Sequence, residues 1–86
     1  MTYDVIPETF ASFGSLLRFL RVRARLSQRE LAIAVGYSEA HLSRLEQGQR
    51  RPDPDVVRAH LVPALGLAPD SPWAARLTDL ARGHGP

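Results

Sequence analysis

In the stretch GYSEAHLSRLEQGQRRP (residues 36–52), Ala40, Ser43, Arg44 and Gln47 recur at i, i+3, i+4 and i+7. On a helix this spacing gathers them on one face and leaves Leu42 and Leu45 on the other. The apolar side needs a core to cover it; the polar side carries the chemistry. A guanidinium such as Arg44 offers paired donors in a fixed plane. Glu39 only accepts, Ser43 and Gln47 do both, and Ala40 adds a methyl small enough to allow close approach. Gln49, Arg50 and Arg51 follow directly, and Gln28 and Arg29 precede.

The charge of the chain is concentrated around the same residues. Residues 18–51 hold eight arginines against Glu30, Glu39 and Glu46, a local charge of +5, while the remainder has three arginines against six acids. Such asymmetry suits a polyanionic partner for the basic half, the bland alternative being solvated helix-surface arginines. All eleven cations are arginine.

Eighty-six residues with 44% hydrophobic content suffice for one small globular core. With no cysteine there is neither a disulfide framework nor a thiolate zinc site, which fits a reducing, cytoplasmic location. The opening MTYDVIPETF lacks the features of a secretory signal, and no apolar run approaches the roughly 20 residues of a membrane span. His41, His60 and His84 are too scattered for a metal site and no glycine-rich phosphate loop occurs. No catalytic residue, cofactor or metal is expected.

Several start and stop signals place the elements. Residues 1–11, with Pro7, show no period and are expected to form an arm. From Ser12, a plausible N-cap, Phe13, Leu16, Leu17, Leu20 and Ala24 follow a helical period. Ser27-Gln28-Arg29-Glu30 is a capping box, with Leu26 and Leu31 as hydrophobic staple, and this helix should stop at Gly36. Ser38 starts the next, with Tyr37 and Leu42 as a second staple, and Gly48 ends it. The two motif helices, about 28–35 and 39–47, form a helix-turn-helix. Asp53-Pro54 opens a fourth helix whose inner face is Val56, Val57, Leu61, Ala64 and Leu65; Pro63 predicts a kink or stop near 59–62. Ser71-Pro72 opens a fifth, with Trp73, Leu77, Leu80 and Ala81 inward, and residues 83–86 form a tail or linker. The domain is thus expected over 12–82, all-α, as a compact bundle of about five helices.

The residues Ser27-Gln28, Leu31-Ala32, Gly36, Ser38, Leu42-Ser43, Leu45-Glu46, Gly48, Pro52 and Leu65-Gly66-Leu67 resemble the Xre family, the Cro and phage-repressor type of helix-turn-helix, over residues 12–67 or slightly more. The resemblance implies a lambda-repressor-like domain that binds double-stranded DNA, usually as a homodimer, with the helix at 38–47 leading into the major groove. Arg44 would then meet guanine O6 and N7, Glu39 would accept from cytosine N4, and Ala40 and Ser43 would complete the base-reading face. Gln28, Arg29, Gln47, Gln49, Arg50 and Arg51 would hold phosphates.

The resemblance also pairs Glu46 with Arg21 structurally. Two roles stay open for Glu39, base acceptor or helix-terminus charge that repels wrong sites. Phosphate contact and solvated face are both open for His41, and core or dimer interface for Trp73. Arg25 stands where many relatives have a helix-ending glycine. The same fold could instead serve as a protein-interaction or antitoxin-type module, or front a larger regulator with an effector domain or partner.

Overall fold

Each of the five helices in the computed structural model, which describes residues 5–83, begins on a side-chain oxygen that accepts from a free backbone amide. Ser12 accepts from Ser15 N, Ser27 from Glu30 N, Ser38 from His41 N, Asp53 from Asp55 N and Ser71 from Ala74 N. Each cap satisfies a donor that the first helical turn leaves orphaned. The helices are α1 (Phe13–Arg23), α2 (Gln28–Val35), α3 (Glu39–Glu46), α4 (residues 54–64) and α5 (Pro72–Ala81). Among the described residues there is no strand, and no helix is long and apolar enough to cross a membrane. The expected arm residues 1–4 and tail residues 84–86 lie outside the described residues.

The Ser27–Glu30 capping box closes in both directions: Glu30 N donates to Ser27 Oγ at 3.0 Å and Ser27 N to Glu30 Oε1 at 2.8 Å. These bonds hold the exposed Glu30 carboxyl below its ordinary pKa. The first four helices end alike, with a backbone N–H returning to the carbonyl five residues back: Leu26 to Arg21, Tyr37 to Ala32, Gln49 to Arg44 and Leu67 to Val62. This ending requires a left-handed residue just before the donor. Gly36 and Gly48 supply it at φ 79° and 74°; at the end of α1 it is Arg25, at φ 61°. An L side chain there costs about 1–2 kcal/mol, partly offset by the greater unfolded-state freedom of glycine. Arg25→Gly should therefore stabilise the domain by about 0.5–1 kcal/mol, measurable as a raised urea midpoint at unchanged slope.

The core is assembled from leucines at helical spacing. Leu16, Leu17 and Leu20 of α1 meet Leu31 of α2, Leu42 and Leu45 of α3, Val57, Leu61 and Val62 of α4, and Leu77 of α5, all essentially buried. α2 packs against α3, α1 against α3 and α5, and α4 spans α2 and α5.

Helix α4 neither kinks off nor stops before Pro63. It runs as α-helix over Pro54–Val56, as a π-helical turn over Val57–Leu61, and again as α-helix over Val62–Ala64. Val62 N–H bonds to Val57 O, five residues back. The wider turn leaves room for a proline ring that would otherwise press on the carbonyl of Ala59. It also rotates the inner face, burying Val62 while Val56 and Ala64 move to its edge.

The expected loose arm is corrected over residues 7–10. Pro7–Thr9 form a 3₁₀ turn with Pro7 buried, and Phe10 packs on Phe19 at 4.8 Å between ring centroids. Arg76 Nη2 donates to Phe10 O at 2.9 Å, tying this turn to α5. Trp73 is half-buried rather than inward. It stacks on Phe19 at 5.5 Å, while Leu77, Leu80 and Ala81 are buried as expected and Ala74 and Thr78 join them.

Candidate nucleic-acid interface

A three-residue turn, Gly36–Ser38, joins α2 to α3, and a buried ionic network fixes their far ends. Arg21 Nε donates to Glu46 Oε2 at 2.5 Å and Arg21 Nη2 to Glu46 Oε1 at 3.1 Å. Arg21 Nη1 reaches Leu26 O at 2.9 Å, and Gln28 Nε2 donates to Glu46 Oε1 at 3.1 Å. The Glu46 and Arg21 side chains are only 4% and 12% exposed, so bidentate pairing and these extra bonds offset their desolvation. One carboxylate thereby joins the last turns of α1 and α3 and the first of α2. Gln28 consequently comes to the surface half-buried, with part of its amide already committed to Glu46.

Gly14 completes this frame from the other end of α1. A Cβ there would stand 2.8 Å from the Glu46 carbonyl carbon and 2.9 Å from Leu45 O, both backbone atoms. Only a residue without a side chain lets α1 come so close to the end of α3. Gly14 escaped the sequence reading; its one signal was a glycine seven residues before Arg21 inside an otherwise regular helix.

On the outside of this frame, Glu39, Ala40 and Arg44 of α3 are exposed. Ser43 is half-buried and its Oγ accepts from Gln47 Nε2 at 3.0 Å. The helix ends at Glu46, so Gln47 is its cap residue rather than its last turn. Gln47, Gln49, Arg50 and Arg51 come together in one open concavity of about 540 Å³, which Ser12, Gly14 and Ser15 close from the start of α1. Gln28 and Arg29 are not part of it. Ser12 and Ser15 are therefore further polar groups at this edge, bonded to each other at 2.8 Å.

Charge and aromatic packing shape the flank of α3. His41 stacks on Tyr37 with 3.9 Å between centroids, while Tyr37 also packs against the core cluster that contains Leu42. Burial, then the positive charges of Arg50 and Arg44, hold the His41 imidazole below its ordinary pKa. Burial and Asp53 push the Tyr37 phenol up, against the pull of Arg50. Arg44 and Arg50 thus act on one patch. Neither they nor Arg29 and Arg51 have a carboxylate partner among the described residues. No group of three or more metal-binding side chains occurs among the described residues.

Two short helices joined by a tight turn, the second exposing a polar face beside unpaired arginines, define the class: a helix-turn-helix DNA-binding domain. A family model described as "Helix-turn-helix domain" matches residues 12–75, and the chain belongs to that family. The crystal structure of the clp gene regulator ClgR from C. glutamicum shares the fold, with a TM-score of 0.67 and 24% sequence identity over 100% of both chains. No curated protein matches the sequence.

Proposed function

We propose that this domain is a transcriptional regulator, repressor-like in action, that binds double-stranded DNA sequence-specifically with α3 in the major groove. The observation that carries the reading is the exposed row Glu39, Ala40 and Arg44 beside the concavity that collects Gln47, Gln49, Arg50 and Arg51. Base edges would be met by Arg44, Glu39, Ala40 and Ser43; phosphates would be held by Arg50, Arg51, Gln47 and Gln49, with Arg29 and the free amides at Gln28 on the α2 side. The pairing of Arg44 with guanine and Glu39 with cytosine favours G·C-containing half-sites. A homodimer would place two copies of α3 on successive turns of the duplex, and a further effector region or partner protein would supply the signal.

Selection from a random duplex library, followed by binding of the winner at several salt concentrations, tests the proposal. An enriched motif and a steep log–log salt slope are expected; sequence-blind binding would overturn it. Arg44→Ala should cost about 1–3 kcal/mol on the selected site and relax the preference at one base pair. An unchanged preference would remove Arg44 from the base-reading face. Arg51→Ala should weaken all duplexes alike and flatten the salt slope by about 0.9. Repeating the titrations with selected and scrambled duplexes distinguishes the two behaviours.

A further inference from the structure

On the side of α1 opposite its buried stripe, Ser15, Arg18, Phe19, Val22 and Arg23 line an open, mainly apolar groove of about 580 Å³. Val22 is 59% exposed, so most of its apolar side chain faces solvent. The floor is preformed, because Phe19 is clamped between Phe10 at 4.8 Å and Trp73 at 5.5 Å. The Arg23 guanidinium lies 5.3 Å from the Trp73 ring centroid. Neither Arg18 nor Arg23 has a carboxylate partner among the described residues. The groove adjoins the concavity of the proposed DNA surface at Ser15, which lines both; Arg18 stands one turn beyond Gly14, and Phe19 and Arg23 lie further round α1.

We propose that this groove docks an acidic amphipathic helix of a partner protein. Phe19 and Val22 form a short apolar strip that aliphatic or aromatic side chains at i, i+3 and i+4 would cover. The unpaired arginines beside that strip call for carboxylates on the flanks of the incoming segment. Charge argues against the two other occupants. A second copy meeting through the same face would set the arginines of both chains against one another. A phosphate backbone would satisfy the arginines and leave Phe19 and Val22 uncovered. Because no residue of α3 lines the groove, a partner seated on Phe19, Val22 and Arg23 leaves the base-reading face of α3 open, which suits recruitment of another protein to the regulated site.

The test uses a synthetic helical peptide of about eighteen residues, with leucine or phenylalanine at i, i+3, i+4 and i+7 and glutamate on both flanks, and a twin with lysine for every glutamate. Fluorescence anisotropy of the labelled peptides gives affinity, and Trp73, the only tryptophan in the chain, reports occupancy of the groove. The glutamate peptide should bind saturably, weaken as salt rises, and exceed the lysine twin by about tenfold or more. Val22→Asp should reduce binding about tenfold, and the double variant Arg18→Glu, Arg23→Glu should reverse the preference between the twins. Circular dichroism and an unchanged urea midpoint would show that both variants remain folded. Equal binding of the twins, or binding indifferent to both variants, would overturn the proposal. A loss of duplex affinity in Val22→Asp, with both arginines in place, equal to its loss of peptide binding would assign the groove to the DNA surface. Concentration-dependent self-association abolished by Val22→Asp would assign it to a second copy.

Discussion

Replacing Glu46 by glutamine should destabilise the domain by about 3 kcal/mol and lower Tm by on the order of 15 °C. The substitution keeps the shape of the side chain and removes its charge, so the guanidinium of Arg21, 12% exposed, is left without its counter-ion. It also puts a donor where an acceptor is required. The carboxylate oxygens receive bonds from Arg21 Nε, Arg21 Nη2 and Gln28 Nε2, and an amide NH₂ placed there would face other donors. The cost arises chiefly from the orphaned charge, so Arg21→Met in the same chain should recover much of it. Urea denaturation of both single variants and the double variant measures the coupling. A coupling below about 0.5 kcal/mol would mean that the pair does not hold the motif together.

Gly14→Ala should destabilise by about 2 kcal/mol, although helix propensity alone favours alanine by about 1 kcal/mol. The sign is the informative part. The new methyl would press on the Leu45 and Glu46 carbonyl groups, which are backbone and cannot rotate away. α1 or the end of α3 must then shift, and with it the loop that carries Gln47, Gln49, Arg50 and Arg51. Thermal denaturation supplies the stability, and the affinity for a selected duplex should fall in the same variant. A stabilised Gly14→Ala protein would show that the close approach of α1 to α3 is not needed.

These two positions differ in how visible they were before folding. The resemblance to the Xre family named Arg21 and Glu46 together, whereas nothing local distinguished Gly14 from a weak point in α1. Other features follow the same division. The Ser27–Glu30 box, the stops at Gly36 and Gly48 and the N-caps Ser12, Ser38 and Ser71 were legible because each acts within a few residues of itself. The exposed face of α3 was legible for a similar reason, since a helical period fixes which residues share a side. Pro63 signals a local conflict within α4, but the kink or stop it predicts near 59–62 is replaced by the π-helical turn. Whether a helix kinks, stops or widens into a π-turn depends on what the next turn can bury, and here Val62 enters the core. The segment Pro7–Thr9 has no period of its own, and what holds it is Arg76, distant in sequence.

The sequence by itself determined five helices, their caps, and a polar, arginine-flanked face on the second motif helix, because caps and periodicity are local and additive. Only the tertiary structure decided that Gln28 turns its amide to Glu46, that Gly14 lets α1 meet α3, and that Phe10, Phe19 and Trp73 form one cluster beside an apolar groove. Those contacts join residues far apart in the chain. They exist only once the leucine core has set the distances between helices, and no spacing along the chain encodes them.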